Sequence, residues 1–169
     1  MIGSRLSRTF RVAIGLLGVL LSSTPARSQT HGEGFVGLGA GAYSNPFTSG
    51  RIIDLAGGGE LVLSERIGAG AELGLAAGGG DLLAVTCVSG SVHFLGREPG
   101  DKVDPFIKVG YAHLGALTDV GASNGWNVGA GVTYWYGARR GVRVEFQDVL
   151  YQSLRADQLW VLRVAFAFR

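Results

Sequence analysis

Ser91 and His93 stand two residues apart, a spacing that puts both side chains on one face of an extended strand. A hydroxyl beside an imidazole is the core of a nucleophilic dyad, and a carboxylate such as Glu72 or Glu145 would be needed to orient the ring. The same pair also reads more plainly, as two small polar groups lining an interior. Gly121-Ala122-Ser123-Asn124-Gly125 fits G-x-S-x-G, the turn that presents a serine nucleophile between a strand and a helix. That motif needs its histidine later in the chain, but His31, His93 and His113 all precede Ser123, so the segment reads as a Gly/Asn/Ser loop.

Metal and cofactor chemistry find less support. The three histidines and the single Cys87 have no ligand spacing with a matching second pair. Cys87 shares its parity with Ser89 and Ser91 and is expected to be a small packed residue. Gly37, Gly39 and Gly41, like Gly129 and Gly131, look superficially like dinucleotide loops, but no helix follows whose N-terminus could hold a phosphate. No cofactor and no metal are therefore expected.

The elements that must carry these residues are strands. Of 169 residues, 29 are Gly, 47% are hydrophobic and 17% charged. The glycines have no third-position period, which excludes a collagen-like chain, and they are too dense for helices, costing about 1 kcal/mol at each interior position. Alternation recurs instead. Trp160, Leu162, Val164, Phe166 and Phe168 share one face, with Val161, Arg163, Ala165, Ala167 and Arg169 on the other. The same period runs through Trp126 to Tyr136, Val142 to Gln147, Phe106 to Tyr111, Ala84 to Phe94, Ile67 to Leu75, Asp54 to Leu63 and Val36 to Ala42, eight segments in all. Turn chemistry separates them at Ser44-Asn45-Pro46, Ser64-Glu65, Gly78 to Asp81, Arg97 to Asp101, Thr118 to Asn124, Ala138 to Gly141 and Ser153 to Asp157. Eight strands joined by short links predict an up-and-down antiparallel barrel.

Residues 1–28 have the form of a cleaved secretion signal: an arginine-bearing start, the apolar run Val12 to Leu21, and small residues at Ala26 and Ser28. The apolar run is too short for a spanning helix, which needs about 20 residues. The formal charge of +2 includes four arginines in this segment, leaving 11 bases against 13 acids, so the domain at 29–169 carries no basic surface for nucleic acid.

Charge placement decides which face of the barrel is outward. Within the alternating segments the charges are Asp54, Glu60, Glu72, Lys108, Arg143, Glu145, Asp148, Arg163 and Arg169, too few to cover a water-facing sheet. Mixed in sign, they suit a closed interior in which charges pair, with the apolar face toward lipid and Tyr134, Tyr136, Trp160, Phe166 and Phe168 as interfacial aromatics. The inward set Glu60, Glu72, Lys108, Arg143, Glu145 and Arg163 is expected to form a structural polar network in the lumen. Asp148 does not fit, since its parity puts it on the apolar face; a bulge or an exit from the membrane is expected there.

With these features the stretches Pro105 to Tyr111 and Trp126 to Val132 are similar to the aromatic-glycine strands of small Gram-negative outer-membrane β-barrel proteins, the porin-like and OmpA-like barrels. Leu159 to Phe168 is similar to their C-terminal assembly signal, though Arg169 follows the usual terminal aromatic. The resemblance covers Gly34 to Arg169. It implies insertion into outer-membrane lipid, recognition of the last strand by the barrel-assembly machinery, and periplasmic turns at Ser64-Glu65, Arg97 to Lys102 and Ala138 to Arg140. Its lipid-hydrolysing members carry a serine and a histidine on a strand, and in those resembling lipid A deacylases the histidine comes first, whereas here Ser91 precedes His93.

An eight-stranded lumen is just wide enough to be filled by side chains, so a wide pore is not expected, and the outer links are too short for an adhesin. The expected role is structural or small-ligand-binding, and non-enzymatic. Two alternatives stand beside it: an outer-membrane lipid hydrolase using Ser91 and His93, and a secreted soluble lipocalin-like barrel with an apolar pocket.

Overall fold

The computed structural model describes residues 32–44, 49–64, 66–79, 81–94, 101–116, 122–151 and 157–169. The expected signal segment 1–28, His31, Gly121 and the centres of most links lie outside the described residues. Eight strands follow in order: β1 (Gly32–Ser44), β2 (Ser49–Val62), β3 (Ile67–Gly78), β4 (Asp81–His93), β5 (Val103–Ala116), β6 (Ala122–Gly137), β7 (Arg140–Tyr151) and β8 (Asp157–Phe168). Each pairs antiparallel with its neighbour in sequence, and β8 pairs back onto β1 to close the barrel. Closure leaves no sheet edge, so the backbone donors and acceptors along all eight strands are met within the ring.

The period-2 pattern becomes an inside and an outside. Leu38, Ile53, Val88 and Val109 are each more than half exposed, whereas Glu145 and Arg163 are 2% and 3% exposed. One end of the barrel carries the β2–β3, β4–β5 and β6–β7 links and is called here the turn end; the opposite end is the loop end. Near the loop end the lumen is filled by an apolar cluster that includes Ile52, Val85, Cys87, Val149, Tyr151 and Leu159. The charged residues lie below it, toward the turn end.

The strands run further than their sequence pattern suggests, and three expectations change as a result. Ser123 and Asn124 belong to β6 rather than to a loop, because continuing the ladder gives their backbone groups partners on β5 at Leu114 and His113. No helix follows Ser123, so the serine lies in regular strand. β5 begins at Val103, ahead of the expected segment Phe106 to Tyr111, which brings Asp104 into the strand and into the lumen. Asp148 sits in a continuous register, opposite Val128 on β6 and Trp160 on β8, without a bulge. It therefore does face outward, and the register shift lies instead between Trp135 and Gly137. Arg169, grouped above with the strand charges, follows the end of β8.

Glycine is needed where the wall approaches its filling. A Cβ added at Gly131 would lie 2.6 Å from the Phe106 ring and 2.6 Å from the Val144 carbonyl oxygen, while one at Gly90 would meet only the Gly68 carbonyl oxygen at 3.9 Å. Gly79, with φ of 65° beside the β3–β4 link, occupies the left-handed region that other residues rarely adopt. Gly131→Leu is expected to lower barrel stability by about 1–3 kcal/mol through overpacking. Gly90→Ala should leave it within about 0.5 kcal/mol of the parent. Thermal unfolding in detergent measures both.

Candidate functional site

The strongest concentration of chemistry lies across the middle and turn end of the lumen. Arg163 on β8 donates through Nε to Asp54 Oδ2 and through Nη1 to Glu72 Oε1, both at 2.8 Å. Glu72 on β3 in turn accepts from Lys108 Nζ on β5 at 2.8 Å. The Lys108 ammonium also contacts Glu145 on β7, whose Oε2 accepts from Arg143 Nε at 2.7 Å. Arg143 Nη1 lies 4.0 Å from Glu60 Oε2 on β2. The Arg143 guanidinium is held between two rings, 3.9 Å from the Phe106 centroid and 4.7 Å from that of Phe35. The structure thus brings together Glu60, Glu72, Lys108, Arg143, Glu145 and Arg163, and the pairs Arg163–Glu72, Lys108–Glu72 and Lys108–Glu145 join strands that are not neighbours in the sheet.

Ser91 and His93 continue this chain toward the turn end. His93 Nδ1 is 2.8 Å from Asp104 Oδ1, Nε2 is 2.8 Å from Glu60 Oε1, and Ser91 Oγ is 3.3 Å from Nε2. The carboxylates beside the ring are therefore Asp104 and Glu60, not the expected Glu72 or Glu145. Those two sit deeper in the lumen, engaged by Arg163, Lys108 and Arg143. Ser91, His93 and Asp104 have the connectivity of a nucleophile, a base and its orienting acid. Two features work against that use: the Ser91 hydroxyl donates to Glu60 Oε1 at 2.7 Å, and all four groups are buried inside the barrel wall. A cavity of about 20 Å³ bordered by Glu60, Glu72, Ser89, Ser91, Lys108 and Arg143 has room for about one water.

Sequence reasoning missed Asp104 and the two phenylalanines that clamp Arg143. Asp104 was recoverable, since the residue before a proline favours extended backbone and Asp104 shares its parity with Phe106 and Lys108. Asn127 is fully buried at the edge of the apolar cluster, and its side-chain amide has no partner among the described residues; nor has the Tyr151 hydroxyl. Cys87 is buried in the same apolar cluster as Tyr151, and its Sγ accepts from Gln147 Nε2 at 3.5 Å. No group of three or more metal-ligating side chains is found among the described residues.

No protein-family model and no curated protein sequence matches the chain. Solved structures do match. Neisserial surface protein A (NspA) superposes with a TM-score of 0.66 at 11% identity, over 83% of this chain and 99% of that one. The outer membrane protein OprG from Pseudomonas aeruginosa gives 0.62 at 8% identity, over 85% and 98%. This chain has the fold of the small eight-stranded outer-membrane β-barrels. The outer membrane enzyme PagL shares the barrel fold too, with a TM-score of 0.54 at 18% identity over 80% of this chain and 99% of that one.

Removing one partner of a buried ion pair leaves its counterpart unpaired and typically costs roughly 3–5 kcal/mol. Arg163→Met and Arg143→Met are therefore expected to lower the unfolding midpoint in detergent clearly, and an unchanged midpoint would show the lumen pairs to be dispensable. Adding Asp54→Asn to Arg163→Met should recover part of the loss, because Asp54 is bonded to Arg163 and would otherwise be left charged without it, whereas Glu72 keeps Lys108.

Proposed function

We propose that this chain is an exported, integral outer-membrane barrel of structural or small-ligand-binding role, with a polar lumen closed by its own side chains and no wide pore. The observation that carries the reading is the inversion of the usual order. Apolar side chains such as Leu38, Leu73, Val88, Val109 and Leu162 face outward around the ring, while Asp54, Glu72, Lys108, Arg143, Glu145 and Arg163 are buried and paired inside. Such a surface is stable against hydrocarbon and would aggregate in water. A soluble lipocalin-like barrel needs an apolar lumen along its length, and here the middle and turn end of the lumen carry the buried charges Glu60, Glu72, Asp104, Lys108, Arg143 and Glu145. In this reading residues 1–28 are a secretion signal cleaved near Ser28, and the strand Leu159 to Phe168 is presented to the assembly machinery. The likeness to other outer-membrane barrels supports a place in the outer membrane.

A second reading, an outer-membrane lipid hydrolase, draws on the Ser91–His93–Asp104 line and on the likeness to PagL. It is the weaker one, because an acyl ester in the membrane has no path to a hydroxyl that points into a filled lumen. Purified protein incubated with lipid A and phospholipid is expected to show no turnover above that of Ser91→Ala.

Fractionation of expressing cells, with SDS gels of boiled and unboiled membrane extract, tests the main reading. The protein is expected in the outer-membrane fraction with a heat-dependent mobility shift. Recovery in the soluble fraction without a shift would overturn it. In planar bilayers the folded protein is expected to give no large steady conductance.

A further inference from the structure

Among the described residues, the lipid face carries a carboxylate that the lumen network does not use. Asp148 on β7 projects outward between Val128 and Trp160. Its Oδ2 accepts from Gln158 Nε2 at 2.8 Å, and its Oδ1 is turned in against the wall, buried and without a hydrogen-bond partner among the described residues. It borders a groove of about 530 Å³ on the outer wall, lined mainly by apolar side chains. The floor is low because Gly90 on β4 and Ala130 on β6 are small, and Val109, Val128 and Phe146 form much of the rest. Aromatic side chains mark the same level of the barrel: Trp160 directly opposite Asp148, and the edge-to-face pair Tyr111 and Trp126 one row nearer the loop end. Such side chains gather where hydrocarbon meets the headgroups.

Resting on the membrane-spanning reading above, we propose that this groove is a lipid site, in which one acyl chain lies along the apolar floor and an interfacial hydrogen-bond donor of the same lipid binds the Asp148 carboxylate. The chemistry selects the lipid class. A carboxylate can only accept, and the ester carbonyls of a diacyl glycerolipid at this depth can also only accept, so the two cannot pair. A lipid joined through an amide and bearing a nearby hydroxyl supplies N–H and O–H donors at that level. An unpartnered carboxylate beside hydrocarbon is costly, which gives such a lipid an advantage over its ester counterpart. The final torsion of an aspartate is soft, so rotation of the carboxylate presents Oδ1 to the bilayer.

Two probes with the same phosphocholine headgroup separate the classes: palmitoyl sphingomyelin, with amide N–H and hydroxyl donors, and a phosphatidylcholine of matched chains, with none. The full barrel in detergent is mixed with equal amounts of both, and retained lipid is counted by native mass spectrometry. The parent protein is expected to keep the sphingolipid in preference by about tenfold, the effect of one hydrogen bond to a charged acceptor. Asp148→Leu, which suits a lipid-facing position, should abolish the preference while lipid still binds. Gly90→Leu, whose Cβ would make only an ordinary contact with the Gly68 carbonyl oxygen at 3.9 Å, should fill the groove and reduce retention of both lipids. Equal retention by the parent, or an unchanged preference in Asp148→Leu, would overturn the proposal. A chain that lacks the heat-dependent gel shift and stays soluble without detergent would overturn the membrane reading instead, so the two failures are told apart.

Discussion

A closed ring of eight strands leaves a lumen too narrow to hydrate an ion, so a charge that points inward must meet its counterpart inside the barrel. Much of this molecule follows from that constraint. Glu72, Lys108, Glu145 and Arg163 come from four different strands, and each finds an opposite charge on a strand that is not its sheet neighbour. The ladder hydrogen bonds tie each strand only to the next. The ion pairs tie opposite walls together, which makes the lumen filling a brace as well as a plug.

The filling changes character along the barrel. Toward the loop end Ile52, Val85, Val149, Tyr151 and Leu159 close the lumen with apolar contacts, and toward the turn end the chain of polar contacts passes from Arg163 and Glu72 through Lys108, Glu145 and Arg143 to Glu60, His93 and Asp104. Arg143 joins two kinds of interaction, since its edge is bonded to Glu145 while its faces pack on Phe35 and Phe106. A guanidinium suits this position better than an ammonium because it is planar and stacks as well as donates. His93 is enclosed in a comparable way, with a carboxylate at each ring nitrogen and the Phe106 ring 5.7 Å away.

Local pattern and long-range pairing were readable to different degrees. The alternation of Trp160 to Phe168 and of Trp126 to Tyr136 placed those strands and their faces correctly, and the parity of Asp148 was right although, of the bulge or membrane exit expected there, the register shows no bulge. Strand ends were less accessible. Polar residues such as Ser123, Asn124 and Asp104 look like loop residues in isolation, yet they continue a ladder once a neighbouring strand offers them partners. The carboxylates beside His93 were misjudged for a related reason. Glu72 and Glu145 share its inward face, but distance along the barrel axis depends on register, which places Glu60 and Asp104 at the level of the ring.

The sequence by itself determined the strand-forming segments, their number, and which side chains face in or out, because a period of two is a property of each strand taken alone. It also determined that the inward face is charged and the outward face apolar. Only the tertiary structure decided which charge meets which, that Phe35 and Phe106 enclose Arg143, and that Asp148 borders a groove rather than a flat wall. Those relations depend on the stagger between strands and on the closure of β8 against β1, which bring together residues as far apart in sequence as Asp54 and Arg163. No local pattern encodes such a meeting, since it arises only when the ring is complete.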